Sequence, residues 1–243
     1  MEEHSPLGAS GAHCWLYCDG SYWAQKGLPD ESSAFAYEGT CAHELVEICL
    51  ANKIAARRRI GLPLLINKEF IVTSDMADYA QTYIDYVRDI GGVQEYEQKV
   101  SYSDWVPGGF GTADVIATVD DTLFVIDLKY GKGVKVFAEN NPQGMLYALG
   151  ALHERAVFQD FKEVVIVIHQ PRLDHLSEWS ITPKELYKWA EWVKERAALC
   201  LEPDAPRTPG TKQCQWCRAK ATCPALLKHT EVAIMQEFDS FDA

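Results

Sequence analysis

Hydrophobic residues recur along this chain with two periods, and the change from one to the other divides it into elements. Over residues 32–59, Leu45, Val46, Cys49, Leu50 and Ile54 return at helical spacing and mark the buried stripe of one long helix, with Arg57, Arg58 and Arg59 as its basic end. Residues 62–70 lack that rhythm and are expected as a connector or short strand. Ala77, Ala80, Tyr83, Ile84 and Val87 define a second helix over residues 74–90, stopped by Gly91-Gly92. Alternation then takes over. Residues 95–101 and 111–119 read as strands, Asp120-Asp121-Thr122 as a polar turn, and 123–128 as an apolar strand rich in β-formers.

Residues 139–154 return to helix, opening near Asn140-Asn141-Pro142, with Met145, Leu146, Leu149 and Leu152 on its core face. Residues 164–169 form a continuous apolar strand with 178–181 as its partner. Thr182 followed three residues later by Glu185 is a capping-box pattern that starts a helix running to about Cys200. The order α-β-β-β-α-β-β-α predicts an α/β fold with a small central mixed sheet flanked by helices. Before it, Ser10 and the apolar turn leading to Cys18 predict a short capped helix presenting one thiol, although Cys14 and Cys18 read equally well as small buried hydrophobes. Proline-rich residues 202–210 close the core. The expected organisation is an N-terminal segment (1–30), a core (31–201), a C-terminal cysteine segment (202–229) and a frayed acidic tail (230–243).

Composition changes this picture little. The 243 residues carry 47% hydrophobic and 24% charged side chains, which are ordinary globular values. No apolar run approaches the ~18 residues of a membrane span, and no basic segment precedes an apolar one at the N-terminus, so a soluble, cytoplasmic protein with no membrane partner is expected. A net charge of −12 argues against broad nonspecific binding to nucleic acid but leaves room for a local basic groove. Eight cysteines without a secretory signal point to metal or cluster ligands and buried thiols rather than to disulfides.

The chemistry gathers around residues 110–129. Asp127 and Lys129, at i and i+2, leave a strand on one face, and hairpin pairing of the two central strands lets Asp114 reach it. Two carboxylates and a lysine suit phosphodiester hydrolysis. The carboxylates hold Mg²⁺ or Mn²⁺, the metal acidifies a water, and the lysine steadies the attacking water or the transition state. The bland alternative is an Asp-x-Lys at a strand end with an unrelated acid before a turn. His43 and Glu47 share a helix face, where a lone histidine is more often a satisfied polar residue than a ligand. Glu97 could point to the same site as Asp114 or simply to solvent, with solvent or the surroundings of the site the favoured reading. Gln143 and Tyr147 share a face of their helix, and Tyr130-Gly131-Lys132-Gly133 is a flexible basic turn without phosphate-loop spacing. Cys214, Cys217 and Cys223 put three thiolates within reach of one centre, zinc or an iron–sulfur cluster, with Cys18, Cys14 or Cys200 as the fourth ligand.

Taken together, His43, Gly111-Thr112-Ala113-Asp114, Asp127-Leu128-Lys129, Gln143-x₃-Tyr147, and Cys18 with Cys214, Cys217 and Cys223 resemble the RecB-like branch of the PD-(D/E)XK nucleases. The likeness is to its iron–sulfur-bearing exonucleases, including phage and prophage proteins grouped as a domain of unknown function. The metal motif departs from the family name in reading Gly-Thr-Ala-Asp rather than Pro-Asp. The resemblance implies a restriction-endonuclease-like core whose His43, Asp114, Asp127 and Leu128 carbonyl ligate Mg²⁺ or Mn²⁺. It implies Lys129 as catalytic lysine, with Gln143 and Tyr147 orienting it or holding phosphates. Cys18, Cys214, Cys217 and Cys223 would bind a [4Fe–4S] cluster, with zinc as the alternative occupant, clasping the two ends of the chain. It further implies a DNA exonuclease rather than an endonuclease, in a bacterial host's cytoplasm, serving phage recombination, repair or replication beside a single-strand annealing or single-strand binding protein. The competing reading is a noncatalytic nucleic-acid-binding or assembly module on the same fold.

Overall fold

The computed structural model describes residues 5–29 and 34–241. Its elements run α1 (Ala12–Trp15), α2 (Ser21–Gln25), α3 (Ala34–Ala51), α4 (Ser74–Ile90), β1 (Val93–Ser101), β2 (Phe110–Val119), β3 (Thr122–Leu128), α5 (Pro142–Arg155), β4 (Glu163–Gln170), β5 (His175–Ile181), α6 (Pro183–Leu201), α7 (Thr211–Gln215) and α8 (Pro224–Phe241). None of these helices is long and apolar enough to cross a membrane. The chain divides into two compact units. One comprises Glu31–Tyr102 and Phe110–Tyr187, the other Met1–Asp30, Ser103–Gly109 and Lys188–Ala243, so α6 begins in the first and ends in the second.

The first unit is built on a five-stranded sheet of order β1-β2-β3-β4-β5. Neighbours are antiparallel except β3 and β4, which run parallel and are joined through α5, as parallel neighbours require. The expected small mixed sheet flanked by helices is therefore present. One face packs Val115, Ile126, Leu128, Val165 and Val167 against Leu45, Cys49, Met76, Ala80, Ile84 and Val87 of α3 and α4. On the α5 side the approach is close: a Cβ on Gly144 would fall 2.5 Å from Ile166 Cγ2, and one on Gly150 2.9 Å from the Ser101 carbonyl oxygen. Asn141 caps α5 by accepting from the Gly144 amide at 3.0 Å. The Thr182 and Glu185 capping box also forms, with the Thr182 amide donating to Glu185 Oε2 at 3.1 Å and the Glu185 amide to Thr182 Oγ1 at 3.3 Å.

Three expectations change. The expected start of the first long helix at Ser32 lies outside the described residues, and that helix does not reach Arg59. It ends at Ala51, where the Asn52 side chain donates to the Ile48 carbonyl at 2.8 Å and Lys53 turns to φ +54°; the three arginines occupy a separate 3₁₀ turn, Ala56–Arg59. Ser10 caps nothing: the residue at the N-cap of α1 is Gly11, without a side-chain bond, because a 3₁₀ turn at Ala9–Gly11 precedes it. The acidic C-terminal segment, expected to fray, is helical in α8 through Phe241.

In the second unit, chain ends meet. Arg196 donates to the Leu16 carbonyl at 3.0 Å and pairs with Asp19, and the Trp15 indole donates to the Gly8 carbonyl at 3.0 Å. The Gly20 amide donates to the Pro206 carbonyl at 2.9 Å, and a Cβ at Gly20 would lie 2.5 Å from the Ala205 oxygen, so only glycine admits the proline-rich segment this closely.

Candidate metal and cysteine sites

The site in the first unit begins with a break in a ladder. β1 and β2 pair as Tyr96↔Val115 and Gln98↔Ala113, a constant register that leaves Glu97 and Asp114 opposite each other without closing a pair. Glu97 stands at φ +49°, a conformation costly for a non-glycine residue. Above the break Tyr96 packs towards α3 and α4, while below it Val100 lies under Gly150 of α5, so the strand exchanges faces at Glu97. His43 of α3 reaches in as well. Ligand atoms of His43, Glu97 and Asp114 all lie within 4.8 Å of one another. Of the two orientations open to Glu97, the structure therefore has the one towards Asp114, not the favoured solvent-facing or peripheral one.

Both Asp114 oxygens are used. Oδ1 lies 3.2 Å from His43 Nδ1, and Oδ2 accepts from the Leu128 amide at 2.7 Å, which takes the place of the next rung between β2 and β3. Burial works against a charge on His43, but Asp114, with Asp127 and Glu97 behind it, outweighs burial and lifts the imidazole to about 9. Burial and the facing Asp114 push the Glu97 carboxyl up to about 7. Two acids opposed across a strand pair repel each other, and a divalent cation is the natural relief.

Asp127 and Lys129 form the other half. Asp127 is 5% exposed, outside the trio of His43, Glu97 and Asp114. Lys129 Nζ donates to Asp127 Oδ1 at 3.0 Å and lies 2.9 Å from Oδ2 in the same ion pair; among the described residues Oδ2 is buried and accepts no hydrogen bond. Burial disfavours the Lys129 charge, yet Asp127 more than compensates, and the ammonium is kept. Nζ also donates to Gln143 Oε1 at 3.0 Å, and Gln143 Nε2 lies 3.2 Å from Tyr147 Oη. The Tyr147 ring rests on Gly111, where a Cβ would lie 2.6 Å from its Cε1. A carboxylate–ammonium–amide–phenol chain thus runs from β3 to α5.

In the second unit Cys14, Cys18, Cys214, Cys217 and Cys223 line one cavity together with Ser21, Thr208 and Gln213. The Thr208 amide donates to Cys18 Sγ at 3.3 Å and the Gly210 amide to Cys214 Sγ at 3.4 Å. Burial pushes the Cys14 thiol up to about 12, with Cys217 adding to it, and burial raises Cys18 as well. Cys200 stands apart: it is fully buried and its Sγ donates to the Trp15 carbonyl at 3.0 Å. No three of these sulfurs lie within 4.8 Å of one another among the described residues.

Fold and site together define a mixed α/β protein that gathers a histidine, three acids and a lysine where β1 to β3 meet. The chain belongs to the family described as protein of unknown function (DUF2800), which matches residues 4–242. Among solved structures it is similar to one from Eubacterium rectale described as a putative exonuclease, with 12% identity over 88% of this chain and 86% of that one and a TM-score of 0.49. It is also similar to SSO0001, with 14% identity over 87% of this chain and 95% of that one and a TM-score of 0.34.

Proposed function

We propose that this chain is a Mg²⁺- or Mn²⁺-dependent deoxyribonuclease of the RecB-like PD-(D/E)XK type, acting as an exonuclease. The observation that carries the reading is the convergence of His43, Glu97 and Asp114 within 4.8 Å beside the Asp127–Lys129–Gln143 chain. His43, Glu97 and Asp114 would hold the cation, with Asp127 Oδ2 and the Leu128 carbonyl as further oxygen donors. The bound cation supplies an acidified water and neutralises charge on the scissile phosphate. Lys129, fixed between Asp127 and Gln143, donates to the attacking water or to a non-bridging phosphate oxygen and needs no reorganisation as charge develops there. Gln143 and Tyr147 keep the ammonium aimed and stand ready to hold an adjacent phosphate.

Cys18, Cys214, Cys217 and Cys223 would bind a [4Fe–4S] cluster joining the two ends of the chain. Amide donors to Cys18 and Cys214 suit sulfurs that carry charge in the loaded state. Zinc, held tetrahedrally by the same four thiolates, is the alternative occupant. We leave Cys200 out of the ligand set, a choice supported by the bond from its thiol to the Trp15 carbonyl. The setting we assign is phage DNA recombination, repair or replication in a bacterial cytoplasm, beside a single-strand annealing or binding protein.

The test uses anaerobically purified protein with end-labelled linear single- and double-stranded DNA. Stepwise shortening with Mg²⁺ or Mn²⁺, lost with EDTA and with Lys129→Ala, is expected. Cluster-loaded protein that binds DNA and cuts nothing with either metal would reduce the chain to a binding module.

A further inference from the structure

We infer that residues 131–137, the loop that leaves Lys129, form a single-strand platform: Lys132 and Lys135 take backbone phosphates and Phe137 stacks on a base. This rests on the nuclease reading and names where its substrate strand lies. The chain carries 35 acidic against 23 basic residues, yet from Lys129 to Ala138 there are three lysines and no acid. Local charge is therefore opposite to that of the whole, and it abuts Lys129.

The loop is held as though it were a strand, but through side chains. Gln170, 2% exposed, donates from Nε2 to the Val134 carbonyl at 3.0 Å and accepts from the Val136 amide at 2.6 Å. His175 Nε2 lies 2.9 Å from the Val136 carbonyl, and the Ala138 amide donates to Ser177 Oγ at 2.9 Å. Residues 136 and 138 are turned in by these bonds while Lys135 and Phe137, two apart, are exposed on the outer side. Phe137 is 61% exposed, and its ring stands nearly perpendicular to that of His175 with the centroids 5.0 Å apart, so the aromatic is braced by a neighbour and still largely open. A buried amide bonded to the backbone of an exposed loop means that residues 134–138 keep their shape before anything binds. Lys135 on the held segment two residues from a braced aromatic, with Lys132 on the glycine-flanked turn before it, matches a single strand, whose phosphates repeat and whose unstacked bases accept any π-face. In a duplex those faces are already stacked.

Binding of a fluorescent oligothymidylate to the full chain, with Ca²⁺ as the only divalent cation and salt varied, tests this. Lys132→Gln/Lys135→Gln should make the slope of log K against log[salt] shallower by about 1.4, two phosphates at ~0.7 each. Phe137→Ala should weaken binding roughly five-fold or more with the slope unchanged. Wild-type slope and affinity in both variants would overturn the platform. So would a loss confined to duplex DNA. If the wild-type chain cleaves DNA while these variants bind as it does, the loop assignment fails alone; if the wild type neither binds nor cleaves, the nuclease reading fails with it.

Discussion

The carboxylates of Glu97 and Asp114 face each other across β1 and β2 at the one position where the ladder between those strands stays open. Among the described residues neither side chain pairs with a lysine or arginine, and His43 is the cationic group beside them. Glu97→Gln keeps the shape and removes one charge from the trio. Mn²⁺ affinity, measured calorimetrically, should fall at least ten-fold, in line with the cost of disturbing a metal's ligand environment. Unchanged affinity would remove Glu97 from the site.

Lys129 is held from two sides, by an acid and by an amide. Gln143→Ala frees one of them, so cleavage should slow roughly 10–100-fold, as for a lost positioning contact, with Mn²⁺ affinity preserved. Asp127→Ala should abolish cleavage and leave the circular dichroism of the fold intact. Full activity in both variants would end the assignment of this chain of contacts.

Gly111 lies under the Tyr147 ring, with 2.6 Å where a Cβ would sit. Gly111→Ala forces the ring away and should cost about 1–3 kcal/mol, the usual penalty of overpacking. Tyr147→Ala in the same chain should return much of that loss, because the clash disappears with the ring. Additive losses in the denaturant midpoints of the double variant would refute the coupling.

Glu44, next to His43 but turned the other way, accepts from the amides of Leu65, Ile66 and Asn67 at 2.6, 2.6 and 3.0 Å and from the Asn67 side chain at 2.7 Å. Burial resists its charge, and the amides of Ile66 and Asn67 lead the bonds that outweigh burial and hold the carboxyl below its ordinary range. A depressed carboxyl stabilises the fold above the unfolded pKa of ~4.3 and loses that contribution as pH falls through the folded value. Glu44→Gln should cost about 2–3 kcal/mol at pH 7, typical of charge-assisted bonds to a buried group. Its melting temperature should converge on that of the wild type as the pH is lowered below ~4. A gap that is constant with pH would sink this account.

Cys200 and Cys217 separate packing from ligation. Cys217→Ser should lower the iron content and bleach any brown absorption, whereas Cys200→Ala should leave the iron per chain unchanged and cost only about 1–2 kcal/mol of stability, the loss of a small buried side chain. Equal iron loss in both variants would contradict the assignment.

The sheet and its flanking helices were legible because period-2 and period-3.6 patterns are imposed by burial on one face, and Val115, Ile126, Val165 and Val167 obey them. Asp127 stood out as an acid at the end of an otherwise apolar run. Glu97 did not. Glu95, Glu97 and Lys99 alternate like an ordinary solvated face, and nothing local signals that Glu97 takes a positive φ. The β1–β2 connection is also too long for turn rules to set the register that puts Glu97 opposite Asp114. The end of α3 was missed for a similar reason: Asn52 and Lys53 tolerate helix well enough that only the observed left-handed turn reveals the stop. Among the cysteines, spacing left Cys14, Cys18 and Cys200 open and only the resemblance singled out Cys18; the bond from Cys200 to the Trp15 carbonyl is a tertiary contact that no spacing reveals.

The cavity shared by Cys18 and Cys223 also has a consequence for how the chain is made. On a ribosome adding 5–20 residues per second, the last of these thiols emerges roughly 10–40 s after the first. Until Cys214 emerges, Cys14 and Cys18 lack the C-terminal thiols that share their cavity, and the five strands of the sheet, which end at Ile181, are complete before then. Cys14 and Cys18 of a nascent chain are therefore open to oxidants for that interval, and a chain cut short before Cys214 keeps that vulnerability permanently.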